Sequence, residues 1–135
     1  MPSRRHDLLA VHLPAAAWMV AMTIALAVPS NLADLPAWWP RILHFQALDK
    51  VVHALLFAVA ALLLARSFRR LPGVERPLLA ALLATSLYGG ATEIGQHLFT
   101  GRQGEVADVA ADVAGSAAGS LVAWLHARHR ARSAA

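Results

Sequence analysis

The chain has 135 residues, enough for one domain, and 58% of them are hydrophobic while only 15% are charged. Ordinary globular domains carry about 25% charged residues, so this composition, with a mean hydropathy of +0.51, favours an integral membrane protein over a soluble one. The absence of cysteine excludes a disulfide framework and thiolate metal ligands.

The net charge of +4 comes from basic residues beside apolar runs. This placement is typical of the cytoplasmic ends of membrane spans, and it argues against nucleic-acid binding. It therefore predicts that both termini face the cytoplasm. Most of the twelve basic residues follow this pattern: Arg4, Arg5, Arg66, Arg69, Arg70, Arg76, Arg128, Arg130 and Arg132.

The first predicted span, residues 8–28, is as long as the roughly 20 residues that cross a bilayer, and Pro14 is expected to kink it. Its basic start and small C-terminal residues also resemble a cleavable secretory signal; we favour an uncleaved span. Residues 30–48 are expected to form a short interfacial segment, in which Trp38 and Trp39 anchor the chain at the membrane surface. Within it, residues 41–48 are expected to form a surface helix.

Three further spans are predicted at residues 49–67, 77–99 and 106–126. Asp49 is expected to cap the start of the second span, and Pro77 suits the first turn of the third. The whole chain is therefore predicted to be a single all-α domain with four transmembrane helices.

Ionisable residues concentrate at one end of the last three predicted spans. Because consecutive spans alternate in direction, the start of the second, the end of the third and the start of the fourth lie on one side of the membrane. At a rise of about 1.5 Å per residue, His53, Glu93 and Asp112 lie about 6–9 Å inside this end, and Asp108 lies about 3 Å inside. The sequence thus predicts one polar layer near the extracytoplasmic face.

Small residues accompany the polar layer and are expected to let helices approach closely. Ala111, Gly115 and Gly119 lie on the Asp108 side of the fourth span. Gly89 and Gly90 are expected to do the same one turn before Glu93.

The charges of the layer do not balance. With neutral histidines, four carboxylates and two cations leave an excess of two negative charges: Asp49, Glu93, Asp108 and Asp112 against Lys50 and Arg102. Retained protons, a charged histidine or an external cation must balance this excess, because neighbouring carboxylates in a poorly solvated site cannot all ionise cheaply. The structural alternative is helix capping and interhelical hydrogen bonding, and such contacts average only about 0.6 kcal/mol in membranes.

Familiar enzyme motifs are missing. The sequence contains no His-Glu-x-x-His helix, nucleophile elbow or phosphate-binding glycine loop. The residues His53, Glu93, His97, Asp108 and Asp112 are chemically sensible metal ligands, but their spacing matches no metal motif. The sequence therefore assigns no metal site and leaves the cofactor unknown.

The polar residues of the last two-thirds of the chain also carry a family resemblance: Asp49, Lys50, His53, Glu93, Gln96, Arg102, Asp108, Gly115 and Gly119. This pattern resembles the VanZ-like family of small bacterial membrane proteins. The family's namesake is associated with low-level teicoplanin resistance, so the resemblance implies a role at the cell envelope, in the bacterial inner membrane. It implies no mechanism. Two residues depart from the family pattern, since Asp112 stands where Asn is expected and Phe57 where Tyr is frequent.

The favoured functional hypothesis is a polar pocket, open to the outer face, that binds an envelope component. The head group of a lipid-linked cell-wall precursor and the glycopeptide itself are the two candidate ligands. The expected partner is the lipid bilayer, and the oligomeric state is left open. The predicted binding residues are Asp49, Lys50, His53, Glu93, Gln96, Arg102, Asp108 and Asp112.

An intramembrane enzyme is the alternative hypothesis. Glu93 or His53 would act as general acid or base, Asp108 would orient the histidine or hold a divalent cation, and Arg102 would bind a substrate phosphate. A proton or ion pathway is disfavoured, because residues 56–64 of the second span offer no polar side chains leading inward.

Overall fold

A computed structural model describes residues 3–27, 46–99 and 106–133, with side chains from residues 9–27, 50–99 and 106–133. These residues form four helices and no strand, which confirms the all-α prediction. All four helices are long and apolar enough to cross a membrane. They are α1 (Ser3–Leu26), α2 (Gln46–Phe68), α3 (Pro77–Phe99) and α4 (Val106–Ser133).

Three helices have ends that differ from the predicted ones. Helix α1 runs from Ser3 to Leu26 instead of over residues 8–28, and it continues through Pro14. Helix α2 begins at Gln46, so Asp49 lies inside the first turn and the predicted cap is wrong. Helix α4 continues past residue 126 to Ser133, because the arginine-rich end of the chain extends the helix beyond its apolar stretch. The predicted interfacial segment lies outside the described residues, except where its last residues join α2.

The bundle buries small and polar side chains and exposes large apolar ones. Leu55, Leu87 and Leu121 are exposed, whereas Ala61, Ala65 and Ala81 are fully buried. A soluble bundle would show the reverse distribution. In lipid, large apolar side chains gain nothing by moving inside, and small residues let the helices approach closely. The distribution therefore fits a bundle whose surface faces hydrocarbon.

Glycine brings α2 and α4 into backbone contact. A Cβ atom added to Gly115 would collide with the backbone carbonyl of Ala54, and one added to Gly119 would collide with that of Ala58. Both pairs are spaced four residues apart, so the two helices meet along one ridge. The predicted close approach at Gly115 and Gly119 is confirmed.

Helix α3 joins this pair through Gly89. A Cβ at Gly89 would lie 2.8 Å from Asp112 Oδ2, whereas a Cβ at Gly90 would meet nothing within 4 Å. The expected close approach is thus right for Gly89 and wrong for Gly90, because adjacent helix positions point about 100° apart.

Helix α1 packs mainly on α2. Met22 and Leu26 bury their side chains against Phe57 and Ala60, and Trp18 Nε1 donates a hydrogen bond to the Leu56 carbonyl at 3.1 Å. Among the described residues α1 touches α3 more sparsely and does not contact α4. The three later helices therefore form the body of the bundle, with α1 at its side.

Candidate functional site

The last three helices bring six of the predicted site residues to one end of the bundle. Five of them are buried despite being polar, with exposed fractions between 0% and 6%; Lys50 is partly exposed. We call these six residues the polar cluster: Lys50 and His53 at the start of α2, Glu93 and Gln96 near the end of α3, and Asp108 and Asp112 at the start of α4.

A buried histidine–carboxylate pair lies at the centre of the polar cluster. His53 Nδ1 and Asp112 Oδ1 are 2.9 Å apart, and the two side chains are 2% and 0% exposed. An ionised carboxylate only accepts hydrogen bonds, so with Asp112 ionised His53 Nδ1 is the donor of this bond. The sequence hypothesis gave Asp108 one of two tasks, orienting His53 or holding a divalent cation. The hydrogen-bond partner of His53 is instead Asp112, which stands where the resemblance implies Asn.

Asp108 pairs instead with Lys50. Lys50 Nζ donates to Asp108 Oδ1 at 3.1 Å, and the side chains are 31% and 8% exposed. Because four residues separate Asp108 from Asp112, the two carboxylates lie on one face of α4. Asp108 contacts Lys50 and Asp112 contacts His53, so the two carboxylates link the start of α4 to the start of α2.

Gln96 connects the polar cluster to the end of α1. Its Nε2 donates to the Leu26 carbonyl at 2.8 Å, and this carbonyl belongs to the last residue of α1, where a helix lacks its own donors. Gln96 also lines a cavity of about 190 Å³ between α1 and α3. The other lining residues are mostly apolar or small: Thr23, Leu26, Ala27, Thr92, Gly95 and Phe99.

Three ligand-type side chains, one from each helix, converge in the polar cluster. Donor atoms of His53, Glu93 and Asp108 all lie within 4.8 Å of one another, and all three residues are buried. His97, which the sequence analysis grouped with these ligands, is exposed one turn beyond Glu93 and takes no part. Asp112 also stays outside the set and contacts it through His53.

The two remaining site predictions fall on residues whose side chains are not described. Arg102 lies outside the described residues, and only the backbone of Asp49 is described, in the first turn of α2. Their predicted binding roles therefore stay predictions.

Two buried serines on α4 received no role from the sequence, because no base stands at a diagnostic spacing from either of them. Ser116 and Ser120 follow Asp112 at four-residue intervals, and their Oγ atoms have no hydrogen-bond partner among the described residues. The spacing itself was the available signal. These hydroxyls lie on α4, whereas the apolar residues 56–64, which disfavour a proton pathway, lie on α2.

Phe57, which stands where the resemblance implies Tyr, lies one turn beyond His53. Its side chain is fully buried, and its ring centroid is 6.0 Å from that of Tyr88. The Tyr88 hydroxyl lies 2.6 Å from Thr23 Oγ1. Beside Phe57, Tyr88 of α3 thus supplies a phenol hydroxyl that hydrogen-bonds to Thr23 of α1.

Comparison with known proteins places the chain in a family. The VanZ/LLP1 family model matches residues 9–127, which include α2 and α3 in full, most of α1 and α4, and every member of the polar cluster. No curated protein and no solved structure shows significant similarity to the chain. The chain is a multi-pass membrane protein and belongs to the VanZ/LLP1 family.

Proposed function

We propose that this protein binds a lipid-linked component of the cell envelope, with the head group at the polar cluster and the lipid chain in the neighbouring cavity. The observation that carries the proposal is the position of Gln96, which belongs to the polar cluster and also lines the apolar cavity. A ligand with one charged end and one hydrocarbon end matches this arrangement.

The polar cluster suits a head group that carries an anionic group and hydroxyls. The Lys50 ammonium would bind a phosphate oxygen by a charge-assisted hydrogen bond, and Arg102 is proposed to do the same. Carboxylates such as Glu93 and Asp108 accept hydrogen bonds from hydroxyl groups. A sugar linked to a lipid through phosphate offers both kinds of group.

The cavity favours a lipid-linked ligand over the free glycopeptide. Its volume of about 190 Å³ is below the roughly 300–1,000 Å³ of drug-sized ligand pockets. It therefore fits a segment of hydrocarbon chain. We propose that any effect on teicoplanin susceptibility, which the family resemblance suggests, acts through such a lipid-linked precursor.

The cluster is proposed to lie towards the outer face of the bacterial inner membrane, with both termini in the cytoplasm. The arginines at the far ends of α2 and α4 support this orientation. Reporter fusions at Asn31, Gly73, Gly101 and Ala135 should read outside, inside, outside and inside. Any other pattern contradicts the orientation.

Filling the cavity tests the binding proposal directly. A Cβ at Gly95 meets nothing within 4 Å and Gly95 lines the cavity, so Gly95→Leu should occupy it without straining the backbone. Mass spectrometry of lipids that co-purify with the protein in native-membrane nanodiscs should show a specific lipid-linked species with the wild type and its loss in Gly95→Leu. Gly90→Leu is the matched control, because a Cβ at Gly90 also meets nothing within 4 Å and Gly90 does not line this cavity. Equal retention in both variants contradicts the proposal.

An intramembrane enzyme is the second candidate, favoured by the His53–Asp112 hydrogen bond beside Glu93. His53 Nε2 would accept the proton of an attacking hydroxyl, and Glu93 would protonate the leaving oxygen of a lipid-linked phosphate. Glu93→Gln is nearly isosteric but cannot transfer a proton. A cell-envelope phenotype that survives Glu93→Gln and is lost in Arg102→Ala excludes acid–base chemistry at Glu93.

A further inference from the structure

We propose that His53, Glu93 and Asp108 bind a divalent transition-metal ion of the Zn²⁺ or Mn²⁺ class within the membrane. One imidazole and two carboxylates form a ligand set that such ions accept. The three residues come from three different helices, so the ion would link α2, α3 and α4 at one point. This inference concerns the ion alone and holds whether or not a lipid-linked ligand binds.

Metal coordination would require the three donor atoms to move closer together. They lie within 4.8 Å of one another, whereas ligand atoms about 2.0–2.2 Å from a tetrahedral zinc ion are about 3.3–3.6 Å apart. Rotation of the His53, Glu93 and Asp108 side chains would have to supply this contraction of up to about 1.5 Å.

Asp112 supplies the outer contact that metal-binding histidines need. Metal-ligating histidines nearly always donate their other ring N–H to a carboxylate or carbonyl, which fixes the tautomer and raises the basicity of the ligand nitrogen. His53 Nδ1 makes this bond to Asp112 Oδ1 at 2.9 Å. Coordination would then use His53 Nε2, in a carboxylate–histidine–metal arrangement.

The charge and burial of the cluster also favour a cation. Glu93, Asp108 and Asp112 are buried, and the Lys50 ammonium pairs with Asp108. Three ionised carboxylates and one ammonium sum to a charge of minus two, which a divalent ion would neutralise. Asp112 Oδ2 is buried without a hydrogen-bond partner among the described residues, and a water molecule bound to the ion would offer it a donor.

The Lys50 ammonium would compete with a metal ion for the Asp108 carboxylate. Its Nζ atom lies 3.1 Å from Asp108 Oδ1, so the ammonium and a metal ion compete for the same carboxylate. Because the Lys50 side chain is 31% exposed, it can turn away when the ion binds. Removing this ammonium should therefore strengthen metal binding.

The test measures metal bound to full-length, tag-free protein in nanodiscs. The exposed histidines His126 and His129 are first replaced by glutamine in every sample, so that the C-terminal end of α4 contributes no imidazole. The probes are Zn²⁺, followed by elemental analysis and competitive titration, and Mn²⁺, followed by electron paramagnetic resonance. We expect one ion per chain, loss of the ion in Glu93→Gln and in Asp108→Asn, and affinity about 10–100-fold weaker in Asp112→Asn.

Two further variants separate metal binding from loss of structure. His97→Gln is the matched control, since His97 lies one turn beyond Glu93 on the same helix, is exposed and stands outside the ligand set; it should bind metal as the parent does. Lys50→Met should bind Zn²⁺ more tightly than the parent, a gain that misfolding cannot produce. Equal metal binding by the parent, Glu93→Gln and Lys50→Met would overturn the inference. Gly95→Leu should keep its metal, so failure of the lipid proposal and failure of this one are distinguishable.

Discussion

At one end of the bundle, α2, α3 and α4 meet through His53, Glu93 and Asp112; at the other end the same helices meet through Ala65, Ala81 and Ala123, all buried. Both ends are closely packed, yet the charged groups of the alanine end stay at the surface, where Arg66 and Arg130 are exposed. Packing alone therefore does not require buried carboxylates. The difference argues that the polar cluster serves something other than holding helices together.

Polar contacts exist at the alanine end as well, but they are of a different kind. His12 Nδ1 lies 2.5 Å from Ser67 Oγ, and Arg69 Nη2 donates to the Ala123 carbonyl at 2.9 Å. Neither contact buries a carboxylate. Structural hydrogen bonding at this end is thus achieved without burying a carboxylate, whose ionised form is costly in hydrocarbon.

The largest loss of stability is expected when α2 and α4 are forced apart, because the glycine contact between them supports both ends of the bundle. Gly115→Val places branched carbon atoms against the Ala54 backbone carbonyl, which cannot move aside. Overpacking of this kind costs about 1–3 kcal/mol and sometimes more, so we expect a strongly lowered thermal unfolding temperature in detergent. Gly90→Val, where a Cβ meets nothing within 4 Å, is the control for placing a β-branched residue in a helix. Similar unfolding temperatures for the two variants would show that the glycine contact is not required.

An intermediate effect is expected at the centre of the polar cluster. Asp112→Ala removes the acceptor of the His53 Nδ1 bond and leaves a buried donor unsatisfied, which costs about 1–3 kcal/mol. Asp112→Asn keeps an acceptor oxygen at the same position and should cost less. Chemical unfolding in mixed micelles measures both variants. If the two variants are equally stable, the hydrogen bond is not what Asp112 contributes.

The smallest effect is expected at the alanine end. Arg69→Gln removes the bond to the Ala123 carbonyl, and because Arg69 is exposed, water can replace the donor. We expect a stability change within about 1 kcal/mol and no change in metal content or co-purifying lipid. If Arg69→Gln lost its bound metal or its co-purifying lipid, the two ends of the bundle would be coupled. The polar cluster would then not act independently of the alanine end.

Hydropathy and helix alternation were sufficient to predict the four helices and the gathering of polar residues from the last three of them at one end of the bundle. The membrane restricts the possible arrangements, since spans of fixed length must alternate in direction. Side-chain partners were harder to predict. His53 bonds to Asp112 rather than Asp108 because the rotation of α4 against α2 decides which of two carboxylates on one helical face lies nearer. That rotation is fixed by Gly115 and Gly119 against Ala54 and Ala58, a detail of packing that spacing along the chain does not specify.

The exposure of His97 has a similar cause. Glu93 and His97 share a helical face within about 40°, since four residues turn a helix by about 400°. Near the end of α3 this difference is enough to bury the carboxylate and expose the imidazole. Sequence spacing gives a shared face, but the neighbouring helices determine how much of that face is covered.

The glycine contact makes α2 and α4 harder to separate from each other than α1 is from the rest of the bundle. The backbones of α2 and α4 are in direct contact at Gly115 and Gly119. Helix α1, in contrast, packs on its neighbours chiefly through side chains such as Met22 and Trp18. The hydrogen bond from Gln96 Nε2 to the Leu26 carbonyl joins α1 and α3 beside the cavity. If the proposed lipid-linked ligand binds there, its hydrocarbon chain would reach the cavity from the surrounding lipid by breaking this bond, without passing through water.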